Sequence, residues 1–138
     1  EFRRVLFRSI KESININGDS GPYLLYAYAR CKSILRKAGD MSRETAQSIV
    51  LQQEERGLAR QLLFFDDIVA EAAEKYAPNL ICTYLFSLAQ LFNQFYATCP
   101  ILEGPKERVA WRLRLVATVA ETLQRGLYLL GISTIEKM

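Results

Sequence analysis

The chain contains no histidine. This excludes imidazole general-base catalysis, histidine metal ligation and the Glu-x-x-His pairs of a di-metal helical bundle. Cysteine is scarce: Cys31, Cys82 and Cys99 share no C-x-x-C spacing, and an odd number of thiols cannot all pair within one chain. Reduced thiols in the cytosol are the expectation, with no metal site. Every long apolar stretch is interrupted by Lys, Arg, Glu or Gln well short of the roughly 18 to 20 residues that a membrane-spanning helix needs. A soluble protein without membrane contact is expected. No internal repeat, low-complexity tract or clear two-residue strand alternation is present either.

Phosphate-binding and acid–base motifs are equally thin. Gly18 and Gly21 give G-x-x-G, but neither a preceding strand nor a lysine makes it a phosphate loop. Carboxylates occur side by side, as in Glu54–Glu55 and Asp66–Asp67. On a helix such neighbours point about 100° apart and do not converge as acid and base. No catalytic residue is assigned.

What remains is a helical sequence. At 138 residues and 50% apolar, the chain suits one domain with one core, burying about 70% of its unfolded surface. The head, residues 1–9 (EFRRVLFRS), lacks both the apolar run and the small-residue cleavage site of a secretory signal. Glu-Phe and Val-Leu-Phe-Arg-Ser also match translated cloning-site and sequencing-adapter DNA, so the head reads as a foreign scar, or else as the remnant of a basic strand or helix. Without it, three arginines and one glutamate leave and the formal charge falls from +3 to +1. Global basicity is therefore no argument for nucleic-acid binding. Residues 10–22 read as a linker or the remnant of a preceding domain, and residues 23–138 as the domain proper.

The periodicity predicts an all-α bundle of about five helices. The first runs from about Tyr23 to Ala38, with Pro22 in its first turn and Gly39 after its end. Asp40 to Val50 reads as a loop with a short helix. Two short helices follow, about Glu54 to Phe64 and Asp66 to Tyr76, with Asp66 as a plausible N-cap of the second. The fourth, about Asn79 to Thr98, carries Leu80, Tyr84, Leu88, Leu91 and Phe95 on one flank, with Leu85, Phe92 and Tyr96 beside it. Being apolar around much of its circumference, it belongs at the centre. The fifth, about Lys106 to Leu130, repeats Val109, Leu113, Val116, Leu123 and Leu127 and closes at Gly131 as the C′ residue.

One surface pattern stands out. Tyr23, Tyr26 and Arg30 are spaced by three and four residues and share a helix face, while Tyr28 and Cys31 turn elsewhere. Two rings and a guanidinium can stack unpaired bases and donate to their edges or to phosphates. The spacing is also that of core tyrosines with satisfied hydroxyls. Phe92, Phe95 and Tyr96 fit the core, Trp111 is an amphipathic packing residue, and Lys32, Arg36 and Lys37 fit a solvated face.

Three blocks carry a family resemblance over most of the chain, from about Ser20 onward. They are GPYLLYAYAR at Gly21 to Arg30, followed by KSILRKAG; LICTYLFSLAQLFNQFYATCPIL at Leu80 to Leu102; and RLRLVATVAETLQRGLYLLGISTIEKM at Arg112 to Met138. Together these resemble the C-terminal anticodon-binding (DALR-type) domain of arginyl-tRNA synthetase. The middle block alone is also similar to helical domains of cysteinyl-tRNA synthetase and of one glycyl-tRNA synthetase subunit. The resemblance implies tRNA for arginine as partner, with Tyr23, Tyr26, Arg30, Tyr96 and the terminal Met138 around the splayed anticodon bases. It further implies that ATP and Mg²⁺ serve a separate catalytic domain of the same parent chain in the cytoplasm, and that these 138 residues bind tRNA without charging it. A histidine-containing adenylate motif is impossible in this sequence, and no KMSKS-like loop precedes Ile10. Leu25 stands where many relatives carry glutamine, and Ile135 and Lys137 stand where proline and arginine are usual. The alternatives are the corresponding domain of a cysteinyl or glycyl enzyme, or a helical protein-interaction module that binds no RNA. For the tail, Ile132 and Ile135 are expected to anchor it so that Met138 lies beside Tyr26 and Tyr96.

Overall fold

A computed structural model describes residues 20–39 and 49–135, and in these it shows five helices and no strand. They are α1 (Gly21–Ala38), α2 (Gln53–Leu63), α3 (Phe65–Glu74), α4 (Asn79–Thr98) and α5 (Lys106–Leu129). The head, most of the Asp40 to Val50 segment and Met138 lie outside the described residues.

Helix α1 starts two residues before the sequence expectation because Ser20 caps it. The Ser20 hydroxyl and carbonyl both accept from the Tyr23 N–H, and Pro22 fills a first-turn position that needs no N–H partner. At the other end Gly39 takes a positive φ of 58°. The buried residues Leu24, Ala27, Tyr28, Cys31, Ile34 and Ala38 recur at three- and four-residue intervals and form one stripe. Arg36 and Lys37 occupy the last turn, where cations suit the helix dipole.

Helix α4 is the axis of the bundle, and every other helix packs on it. Ile81, Tyr84, Leu85, Leu88, Ala89, Phe92 and Phe95 are buried along it, which places the most apolar predicted helix at the centre. Helix α5 lies against α1, α2 and α4. It approaches α4 closely at Gly126, where a Cβ atom would lie 2.6 Å from Leu85 Cδ2. The α5 stripe Val109, Leu113, Val116, Val119, Leu123 and Leu127 is buried. The helix ends as the sequence suggests: Gly131 has a φ of 75°, its N–H donates to Tyr128 O, and the Ile132 N–H donates to Leu127 O at 2.9 Å.

Two helix boundaries differ from expectation. Asp66 does not cap α3. Helices α2 and α3 are separated by the single residue Phe64, whose backbone ends one helix and begins the next, so Asp66 falls inside the first turn with its charge toward the N-terminus. Helix α3 also stops at Glu74 rather than Tyr76. Tyr76 adopts a left-handed φ of 52°, its N–H donates to Ala73 O, and the Ala77 N–H reaches back to Ala72 O at 2.9 Å. That closure is usually made with glycine.

A buried ionic network ties α2 to α5. Glu55 is fully buried and Arg112 is 2% exposed. Arg112 donates from Nε to Glu55 Oε1 at 2.7 Å, from Nη1 to Pro100 O at 2.6 Å and from Nη2 to Gln52 Oε1 at 3.1 Å. Glu55 also accepts from the Gln52 N–H at 2.8 Å, and Arg108 Nη1 stands 3.6 Å from its second oxygen. All five guanidinium and carboxylate contacts converge beside the α4–α5 connection. That connection is thereby pinned to the start of α2.

Candidate functional site

The α1 face carrying Tyr23, Tyr26 and Arg30 meets the last two turns of α4. Because α1 buries its Leu24, Ala27, Tyr28 and Cys31 stripe, the next face round the helix is left at the bundle surface. Tyr28 is 2% exposed and belongs to the core, as its position off the Tyr23–Tyr26–Arg30 line requires. Tyr26 is 40% exposed and Tyr96, from α4, is 45% exposed.

Arg30 is the hub. Its Cζ lies 4.6 Å from the Tyr26 ring centroid and 4.9 Å from that of Tyr96. One guanidinium is thus within cation–π reach of two rings from two helices, each contact being worth about 0.5 to 1 kcal/mol at a surface. Its Nη2 donates to Tyr26 Oη at 2.8 Å and its Nη1 donates to Asn93 Oδ1 at 2.9 Å. Asn93 Nδ2 in turn donates to Tyr23 Oη at 2.9 Å. Four of the five residues expected from the sequence are therefore drawn into one connected cluster, which Met138, outside the described residues, does not enter.

The two readings of the tyrosines divide between them. Tyr23 is half-buried, packs on the core and stacks on Phe86 with centroids 6.2 Å apart. Tyr26 and Tyr96 present open ring area. Phe92 and Phe95 are fully buried, and Phe92 supports Tyr96 from behind with centroids 6.4 Å apart. Beyond Tyr96 a cleft of about 270 Å³ opens between the end of α1 and the α4–α5 connection, with Ile34, Lys37, Ile101, Leu102 and Glu103 among its walls. Of the two residues expected to anchor the tail, Ile132 packs against the core, while Ile135 is 43% exposed.

Asn93 was not foreseen. It stands three residues before Tyr96, so the two share a face of α4. An asparagine at that spacing from a suspected stacking ring is the signal that would have found it. The buried Glu55–Arg112 pair was also missed, since nothing local marks partners 57 residues apart.

Chemically, the surface offers stacking planes and hydrogen-bond donors rather than a reactive group. Burial pushes the Cys31 thiol well above its ordinary range, so it stays protonated and inert. The Tyr84 phenol is pushed up to about 12, first by burial and then by the nearby Asp66 charge. Its hydroxyl donates to Gln61 O at 2.8 Å inside the bundle, away from the cluster. Among the described residues no three Cys, Asp or Glu side chains converge as metal ligands. Among the same residues no helix is long and apolar enough to cross a membrane.

Comparison with known proteins gives a consistent picture. The family model described as DALR anticodon binding domain matches residues 24–138. The chain is 43% identical over 130 residues to an arginine–tRNA ligase of Parasynechococcus marenigrum, covering 94% of this chain and 22% of that protein. It is 45% identical over 128 residues to the Pseudomonas putida arginine–tRNA ligase, covering 91% and 22% respectively. Among solved structures, the Thermus thermophilus arginyl-tRNA synthetase superposes with a TM-score of 0.87 at 40% identity, over 93% of this chain and 23% of that one. The Plasmodium falciparum arginyl-tRNA synthetase gives a TM-score of 0.79 at 28% identity, over 95% and 23%. The chain thus spans about 22% of the length of these curated relatives.

Proposed function

Because the chain belongs to the DALR anticodon-binding domain family, we propose that the Tyr23, Tyr26, Arg30 and Tyr96 cluster holds the unpaired anticodon bases of a tRNA. One observation carries the reading. Arg30 is fixed within 4.6 and 4.9 Å of two ring centroids, and both rings remain about two-fifths exposed. Two aromatic planes with a planar cation between α1 and α4 suit single-stranded bases, whose faces stack on rings while their edges accept from guanidinium and hydroxyl groups. Met138 is proposed to complete the base pocket.

The partner proposed is tRNA for arginine, since the relatives and solved structures compared above are arginine–tRNA ligases. That favours the arginine enzyme over cysteinyl or glycyl counterparts. The parent protein is proposed to join arginine to that tRNA in the cytoplasm, with ATP and Mg²⁺ held by its catalytic domain. Among the described residues of the bundle no carboxylates converge as ligands for Mg²⁺. Its part in the reaction is recognition and positioning of the tRNA, not charging.

Titrating the chain with arginine, cysteine and glycine acceptor tRNAs tests this. The arginine acceptor should bind best, and Tyr26→Ala should weaken it by roughly 1 to 3 kcal/mol, the worth of one base–aromatic stack. Equal binding of all three, or an unchanged affinity in a helical Tyr26→Ala protein, refutes it.

A further inference from the structure

The direction of every hydrogen bond in the cluster follows from donor chemistry alone. Arginine has N–H donors and no acceptor, so the Asn93 atom facing Arg30 at 2.9 Å must be the carbonyl oxygen. The amide nitrogen then faces Tyr23, and it can only donate, so Tyr23 Oη accepts at 2.9 Å. The usual ambiguity between the two ends of an asparagine side chain is removed by its neighbour. Tyr26 Oη accepts as well, from Arg30 Nη2 at 2.8 Å. A phenol oxygen that accepts one of these bonds keeps its own O–H for something else. Both tyrosines therefore have their hydroxyl hydrogens free to point away from the network.

Asn93 is also the only member of this network on α4 that holds Arg30 by a hydrogen bond among the described residues; Tyr96 holds it only through its ring. It is partly buried, with Phe92 and Phe95 of the core on either side of it along the helix. Its position is thus set by core packing rather than by a mobile surface chain.

From this we infer that Asn93 is a positioning and specificity-determining residue of the RNA-binding surface: it clamps the Arg30 fork across α1 and α4 and engages the Tyr23 oxygen as an acceptor, which leaves the Tyr23 O–H to donate elsewhere. The surface then presents as donors the Tyr23 and Tyr26 O–H groups and the unused guanidinium N–H groups, beside the Tyr96 hydroxyl, which can donate or accept. It favours ligand groups that accept, namely carbonyl oxygens, unprotonated ring nitrogens or phosphate oxygens. The inference rests on the anticodon-binding reading for its ligand, but the clamp itself does not.

Two substitutions separate positioning from bulk structure. Asn93→Leu removes both bonds and keeps the number and branching of side-chain heavy atoms. Asn93→Asp keeps an acceptor for Arg30, making that bond charge-assisted, but it deletes the donor to Tyr23. The Tyr23 hydroxyl then turns inward to donate to the carboxylate, and the local positive charge is neutralised. The measurements are the side-chain N–H resonances of Arg30 by NMR, thermal stability, and titration with tRNA for arginine. In the wild type and in Asn93→Asp the Arg30 resonances should be sharp and protected, and in Asn93→Leu they should broaden into exchange with water. Affinity should fall at least tenfold in both variants, although Asn93→Asp melts no lower than the wild type. Asn93→Leu adds no charge, so a loss of binding there together with broadened Arg30 resonances reports positioning, whereas the loss in Asn93→Asp also contains the added negative charge. Wild-type affinity in Asn93→Asp, or unaltered Arg30 resonances in Asn93→Leu, overturns the inference. A wild-type chain that binds no tRNA while its Arg30 resonances behave as described sinks the anticodon reading and leaves the clamp supported.

Discussion

Replacing Arg112 by leucine isolates the energetic role of the buried network. The substitution strips Glu55 of its 2.7 Å partner, leaving a fully buried carboxylate with Arg108 at 3.6 Å and the Gln52 N–H. It also abandons the Pro100 carbonyl and Gln52 Oε1, which accept from Arg112 at 2.6 and 3.1 Å. Removing one member of a buried ion pair costs about 3 to 5 kcal/mol, because the remaining charge keeps its desolvation penalty. Against a total stability of about 5 to 15 kcal/mol that is a large fraction. At about 3 °C per kcal/mol for a domain of this size, the melting temperature should drop by roughly 10 to 15 °C. Urea unfolding followed by circular dichroism measures it, with the denaturant slope unchanged. The double variant Glu55→Leu with Arg112→Leu removes the orphaned charge along with its partner, and should recover at least half of the loss. A loss below about 1 kcal/mol in the single variant, or a double variant worse than the sum of the two singles, refutes the reasoning.

Three further outcomes are expected. Arg30→Lys should lower tRNA affinity at least severalfold with stability nearly unchanged, because a point charge replaces a planar fork that serves two rings and two hydrogen bonds; equal binding in a titration would reduce Arg30 to its charge. Gly126→Ala should destabilise the bundle by about 1 to 3 kcal/mol despite alanine's better helix propensity, since its Cβ would sit 2.6 Å from Leu85 Cδ2, and pairing it with Leu85→Ala should relieve that clash, as chemical denaturation would show. Tyr84 has its folded pKa pushed up to about 12, above the ordinary phenol value, so the folded chain holds its proton longer than the unfolded one. Its contribution is therefore complete below about pH 10 and is lost as pH climbs toward 12; denaturation across that window should show a stability decline that Tyr84→Phe flattens.

Local signals in the sequence located most of the fold. The extent of α4 could be read because apolar residues recur at helical spacing from Leu80 to Tyr96, and the end of α5 because Gly131 supplies a left-handed residue. The misjudged boundaries are those where the backbone, not a side chain, decides. Phe64 serves two helices at once, and Tyr76 adopts a conformation that its side chain does not advertise. The site divides in the same way. Tyr23, Tyr26 and Arg30 could be grouped because helical spacing is a local rule, and resemblance supplied Tyr96. Asn93 and the Glu55–Arg112 pair could not be found, because a hydrogen bond across 63 residues or an ion pair across 57 depends on how helices cross. Periodicity says which face a residue takes, but not which distant face it will meet.

The proposed binding surface is divided between two helices, with Arg30 and Asn93 separated by 63 residues of chain. In an unfolded chain, ends that far apart wander on the order of 40 Å from each other. No peptide cut from either helix reproduces the surface, and unfolding takes it apart. On the proposed function, nucleic acid should act on the folding equilibrium like any ligand of the native state, adding about 2.7 kcal/mol when its free concentration is a hundredfold above Kd. A pair of melting curves, with and without RNA, then reports the affinity of the unlabelled protein, and their separation should vanish for any variant that leaves the bundle folded but pulls α1 and α4 out of register.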